Sequence, residues 1–128
     1  MILFFDRNAG TTVPKALQAL KPPVGITYHQ EHFPMNSPDD VWLPQVGAWD
    51  WIVLTQDHKF HLLPNELRAL KDYNIGCFYL WGAKATKWEL MRSFARCYDR
   101  LLDRAMNTPR PFIYKVSKDG RLIAVRIP

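Results

Sequence analysis

Acidic side chains, cysteines and long apolar runs are all scarce in this chain. Twelve Asp and Glu stand against seventeen Lys and Arg, a formal charge of +5. That excess favours a polyanionic partner such as nucleic acid, the plainer reading being a merely basic soluble protein. Two cysteines cannot build a disulfide framework. Cys77 lies in an apolar run and Cys97 in a helical pattern, so both read as buried small hydrophobes in a reducing compartment. No Cys or His spacing resembles a structural zinc site. No stretch approaches membrane-spanning length. The opening Met-Ile-Leu-Phe-Phe-Asp is too short for a secretory signal and ends in an acid. A cytoplasmic protein without membrane contact is therefore expected. Repeats, low-complexity tracts and linkers are also missing, so residues 1–128 are expected to form a single domain.

What is present is an alternation of short apolar runs and helical patterns. Residues 2–5 are continuously apolar and end at Asp6, as a strand buried on both faces would. Turn chemistry at 8–12 leads to a helix in which Val13, Ala16, Leu17 and Leu20 recur at helical spacing, stopped by Pro22 and Pro23. Residues 24–28 predict a second strand and 29–38 an irregular segment. Ser37 or Asp39 could cap a helix over 39–47. Residues 51–54 (Trp-Ile-Val-Leu) carry the strongest strand signal and run into Thr55-Gln56-Asp57. Pro64 opens another helix, with Asn74 suited to a left-handed end. Residues 75–80 predict a fourth strand. A long helix follows over 87–105, with Thr86 and Glu89 at capping-box spacing. Its expected inner stripe is Trp88, Met91, Ala95, Tyr98, Leu102 and Ala105. Residues 111–116 and 121–127 flank an Asp119-Gly120 turn and predict a hairpin. Strands alternating with helices predict an α/β sandwich with a mainly parallel sheet and right-handed crossovers.

Ligands of such sheets bind where the strands end in their carboxyl termini. Asp6 ends the first strand, Asp57 follows the third by two residues, and Asp39 and Asp40 open the helix leading into that third strand. All can fall on one edge. Clustered carboxylates suit Mg²⁺ or Mn²⁺, which take hard oxygen ligands and complete their shells with water and phosphate oxygens. The plainer alternatives are a helix cap for Asp39 and turn residues for Asp6 and Asp57.

The ordered set Phe4-Phe5-Asp6-Arg7-Asn8, then Asp39-Asp40-Val41-Trp42-Leu43-Pro44, then Trp51-Ile52-Val53-Leu54-Thr55-Gln56-Asp57 resembles the PIN-like domain family. Within it, the chain is similar to PIN-like toxins of the VapC type, including its tail from Pro111 to Val116 and Asp119-Gly120-Arg121. The resemblance implies a PIN-like three-layer α/β/α sandwich with a C-terminal antiparallel hairpin. It implies a Mg²⁺- or Mn²⁺-dependent endoribonuclease, the toxin of a type II toxin–antitoxin pair, with RNA as substrate. An antitoxin protein would be a partner and a homodimer possible. Asp6, Asp39 and Asp57 match the family's acids as catalytic and metal-binding residues, with Asp40 the reserve for Asp39. Thr55 would hold the loop through its hydroxyl. The family's further acid, on a helix between the first and third, has no counterpart in the helix at 12–20; Glu31 alone could replace it. A catalytically weak or inactive module that binds RNA or a protein is the alternative.

Other residues have both a functional and a plainer reading. Arg7, Asn8 and Lys59 could touch substrate, or be loop polarity. His58 could exchange protons beside Asp57, or be a solvated loop residue. His29, His32 and Glu31 have the residue types of a transition-metal site but lack a further ligand nearby. Trp42, Trp49, Trp51 and Trp81 could stack on bases, although aromatic residues beside apolar runs usually pack. Arg92, Arg96, Arg100 and Arg104 recur every four residues, a basic stripe that could guide RNA or meet an acidic antitoxin, or a solvated face neutralised by Asp99 and Asp103.

Overall fold

The computed structural model describes residues 1–128 and shows why apolar runs this short suffice. Strands β1 (Ile2–Phe5), β2 (Gly25–Tyr28), β3 (Ile52–Thr55), β4 (Gly76–Tyr79), β5 (Phe112–Val116) and β6 (Leu122–Ala124) form one six-stranded sheet. Their order is β2-β1-β3-β4-β5-β6; every pair is parallel except β5 with β6. β3 and β4 are buried at every position, because helices cover both faces.

Side-chain alternation sorts the core into two layers. On one face Leu3, Phe5, Leu54 and Phe78 pack with Val13 and Leu17 of α1 (Thr12–Leu20), and with Leu90, Phe94 and Leu101 of α4 (Lys87–Asn107). On the other, Phe4, Val53, Cys77 and Tyr79 pack with Trp42, Leu43 and Val46 of α2 (Asp39–Ala48), and with Ala69 and Leu70 of α3 (Pro64–Asp72). The result is a three-layer α/β/α sandwich. Cys77 and Cys97 are buried free thiols. No helix is long and apolar enough to cross a membrane.

The structure departs from the sequence expectations in three places. The inner stripe of α4 is Leu90, Ser93, Phe94, Cys97, Leu101 and Ala105. Trp88 is 71 % exposed, Ala95 is exposed, and Met91, Tyr98 and Leu102 are only half-buried. The helix is rolled by about one residue from the expected phase, some 100°. That turn aims Phe94 at Phe5, with ring centroids 5.7 Å apart.

Secondly, α2 has no side-chain cap. Pro38 stands at the cap position, and Asp39 lies in the first turn facing another partner. Thirdly, the crossovers do not share one hand. The steps through α1, α2 and α3 do, but α4 makes a step in the same direction as α3 on the opposite face. Its crossover therefore has the other hand. The nine residues of α1 cannot cover that face alone, and the 21-residue α4 completes it.

Two sharp ends match expectation. Thr86 and Glu89 form the capping box. Asn74 takes φ 49°, in the left-handed region where Asn is tolerated after a helix.

Candidate functional site

The chain reverses its strand order at β1: β2 lies on one side and β3 on the other. Such a switch point leaves a crevice at the carboxyl ends of the strands, and Asp6 and Asp57 stand on its two walls. The backbone stitches the crevice, since Asp6 N donates to Leu54 O at 2.8 Å.

Asp6 is 2 % exposed and both its carboxylate oxygens are engaged. Oδ1 accepts from the backbone N of Arg7 at 2.7 Å, and Oδ2 from the Thr55 hydroxyl at 2.9 Å. The fully buried Thr55 hydroxyl also accepts from Asp57 N at 3.0 Å and from Asn8 Nδ2 at 3.1 Å. The Asn8 carbonyl in turn accepts from Gln56 N at 3.0 Å. One hydroxyl thus ties the loop after β1 to the loop after β3. Asp57 Oδ1 accepts from Lys59 N at 3.0 Å, an Asx-type turn that sets the loop beyond.

Asp39 reaches the same edge from α2. Its Oδ1 accepts from the indole of Trp42 at 3.0 Å and from the guanidinium of Arg7 at 3.1 Å. Arg7 also donates to the carbonyl of Ser37. Arg7 therefore spans both acids, its backbone on Asp6 and its side chain on Asp39. Asp40 turns elsewhere and accepts from Asn65 Nδ2 at 3.2 Å. Of the two neighbouring acids, Asp39 is the one turned toward Asp6.

The electrostatics link the acids in a chain, Asp57 acting on Asp39 and Asp39 on Asp6. Burial pushes the Asp6 carboxyl up to about 6; the Thr55 hydrogen bond pulls it down, and the Asp39 charge adds to the rise. Asp39 is raised chiefly by burial, opposed by Trp42 and Arg7 and assisted by the charge on Asp57. Even so, no group of three or more His, Cys, Asp or Glu side chains stands at the spacing of a closed metal cage.

The donor set nevertheless suits a hard divalent cation. One oxygen of Asp39 and one of Asp57 make no hydrogen bond, and Mg²⁺ commonly uses only one or two carboxylates with several waters. Burial is the chief cause of the rise in Asp6 and Asp39; the smaller contributions of Asp39 to Asp6 and of Asp57 to Asp39 are the like-charge repulsion such a cation would relieve.

Other expected residues are dispersed. Glu31 accepts from Gln18 and Thr27, at 2.9 and 3.0 Å, and supplies no charge at Asp6. His32 bonds Thr27 at 2.6 Å, whereas His29 is fully buried beside Phe33 and Trp42 with neither ring nitrogen partnered. The three do not converge into a metal site. His58 bonds the Leu80 carbonyl and stacks on Tyr79 at 5.1 Å, so it is a packed residue and not a free one. Lys59 is exposed beside Asp57. Trp42 is core, but Trp49 is 42 % exposed.

Two contacts escaped the sequence reading. Asn8 and Gln56 close the Thr55 network, and Lys87 at the start of α4 donates to Ala9 O at 3.1 Å. The polar pair Asn8 and Gln56 at the ends of two apolar strands was the only signal for the first; a lone lysine carried none for the second.

An acid-lined switch-point crevice on this three-layer sandwich defines a PIN-like class of fold. The family model described as PIN like domain matches residues 1–82, and the chain belongs to that family. The matched segment spans β1 to β4 and holds Asp6, Asp39, Asp57 and Thr55; α4 and the hairpin lie beyond it. No curated protein and no solved structure matches the chain.

Proposed function

We propose that the chain is a PIN-like endoribonuclease that cuts RNA phosphodiesters with Mg²⁺ or Mn²⁺ held by Asp6, Asp39 and Asp57. The single observation that supports it most is the Asp6 carboxylate. It is buried at the end of β1, fixed by Thr55 and the Arg7 backbone, and close enough to Asp39 for that charge to add to its rise. A desolvated acid kept beside like charge is disfavoured by folding alone, and such arrangements concentrate at functional sites.

When bound, the cation would lower the pKa of a water and stabilise charge on the phosphate oxygens. The chain's own residues do the rest. Thr55 orients Asp6 and fixes the Asp57 loop. Trp42 and Arg7 hold one oxygen of Asp39 and leave the other without a hydrogen bond, free to take a cation. Lys59, exposed at the rim, is available to phosphate oxygens, whereas the Asn8 amide is engaged with Thr55 and Gln56. In the toxin form of this reading, an antitoxin protein would hold the enzyme in check.

A second reading is a PIN-like module that binds RNA or protein without cutting. Two observations favour it: Glu31 does not replace the missing acid, and the Arg7 guanidinium already neutralises Asp39.

Mixed single-stranded RNA incubated with the protein in Mg²⁺, in Mn²⁺ and in EDTA, beside Asp6→Asn, separates the two. Metal-dependent products that Asp6→Asn abolishes support the nuclease. Undiminished binding with no products in any condition supports the module.

A further inference from the structure

We infer that Trp81 and the cations around it form a binding track for single-stranded nucleic acid, with an unpaired base stacked against the indole. The inference rests on the nuclease reading and adds to it a base-stacking subsite on the same sheet edge as the carboxylates, formed by none of them.

Trp81 follows β4 on the same sheet edge as the acids. Its carbonyl accepts from Gln56 Nε2 at 3.4 Å, one residue from Asp57. The start of α4 is tied to the loop after Asp6 through Lys87 and Ala9. The surface around Trp81 is therefore continuous with the crevice.

The ring is half-buried and Lys118 Nζ stands 5.9 Å from its centroid, a cation–π contact. Trp81 borders two hollows. One is a narrow cleft shared with Arg92, Ser93, Arg96 and Lys118. The other holds about 560 Å³ and is lined by Gly82, Ala83, Lys84, Ala85 and Glu89. Small side chains leave room beside the indole for a planar group. Single-strand binding sites are built from aromatic faces interleaved with cations that track the phosphates.

Farther along α4, Arg100 and Arg104 join Arg121 around a third hollow of about 580 Å³ against the hairpin. Arginines four residues apart are about 6 Å apart along the helix axis, so the stripe from Arg92 to Arg104 runs about 18 Å. The opposing charges are few. Glu89 lines both Trp81 hollows but is committed to the capping box with Thr86, Asp119 approaches Arg96 at 3.8 Å with both side chains well exposed, and Asp103 pairs with Arg104 at 3.1 Å at the far end of the stripe. An acidic protein segment would use the arginines but has no need of a base-sized space beside an indole, which favours the polynucleotide.

The test is binding of a labelled single-stranded RNA of about ten nucleotides to the intact protein in EDTA, where no cutting competes. An abasic copy and a polyglutamate peptide serve as further probes. Trp81→Ala is expected to weaken RNA binding about five- to hundredfold and to leave the abasic copy unaffected, while Trp81→Phe retains most of the affinity. Arg92→Ala is expected to lower the slope of log affinity against log salt by about 0.7. Unchanged RNA affinity in folded Trp81→Ala overturns the proposal. So does polyglutamate binding that Arg92→Ala weakens while RNA does not bind. The two readings fail separately: RNA held through Trp81 but never cut in Mn²⁺ removes the nuclease alone, and cutting with Trp81 indifferent removes the track alone.

Discussion

The two charged regions of this molecule are built on opposite principles. In the β1–β3 crevice Asp6 is withdrawn from water, Asp39 and Asp57 are half-buried, and all three are fixed by hydrogen bonds; the arginines of α4 stand in solvent. Desolvation makes the first region costly. Raising the Asp6 carboxyl from 3.8 to about 6 corresponds to about 3 kcal/mol at neutral pH. The second region costs little and stabilises little, since exposed ion pairs such as Arg104 with Asp103 contribute roughly 0–1 kcal/mol. The contrast suits the proposed division of labour, with desolvated acids for chemistry and solvated cations for an anionic strand.

The comparison breaks most forcefully at the scaffold of the acids. Trp42 is fully buried between Phe4 and Phe60 and supplies an indole N–H to Asp39. Trp42→Ala is expected to cost about 3–5 kcal/mol in denaturant unfolding. A loss below about 1 kcal/mol would show that the acid-bearing helix is not held as described.

Asp6→Asn tests the cost directly, and the sign is unusual. Burial favours the protonated carboxyl, so the folded chain holds this proton more tightly than the unfolded one. The stability it contributes is whole below the ordinary value of 3.8 and is lost as pH rises through about 6. Asp6→Asn should therefore be more stable than the parent at pH 8, by up to about 3 kcal/mol, with the gain vanishing near pH 4. Unfolding curves across that range check it; a variant less stable at pH 8 than at pH 4, relative to the parent, contradicts it.

Thr55→Val sharpens the same point. It removes the hydroxyl that donates to Asp6 and accepts from Asp57 N and Asn8. A loss of about 1–3 kcal/mol is expected, with the Asp6 titration, followed by NMR, moving higher. An unmoved titration would mean that another group fixes the carboxylate.

The smallest effect belongs to the other region. Arg104→Ala should change stability by less than about 0.5 kcal/mol, because its partner Asp103 is equally solvated. A larger loss would erase the distinction between the two regions.

Much of the fold was legible from local pattern. Continuous apolar runs announced the buried parallel strands β1, β3 and β4, a shorter mixed run announced the edge strand β2, and the Asp119-Gly120 turn announced the hairpin. The Thr86–Glu89 box and Asn74 marked helix ends because each is satisfied by its own neighbours. The candidate acids were legible for the same reason: Asp6 and Asp57 sit at or just beyond strand ends, and strand ends in such sheets share an edge. The rolled stripe of α4 was not legible. Leu90, Phe94 and Leu101 compete with Trp88, Met91 and Tyr98 for one face, and periodicity cannot rank two adjacent apolar stripes.

By itself, then, the amino-acid order determined which segments become strands and helices, where the turns fall and which carboxylates flank the strands. Those follow from period, propensity and caps, which act over a few residues. Only the tertiary structure decided that Asp39 and not Asp40 faces the crevice, that Arg7 bridges two acids, and that α4 crosses on the face opposite α3, with its N-terminus tied beside Asp6. These depend on which surfaces must be buried together, a condition set by the whole sheet and invisible to any single segment.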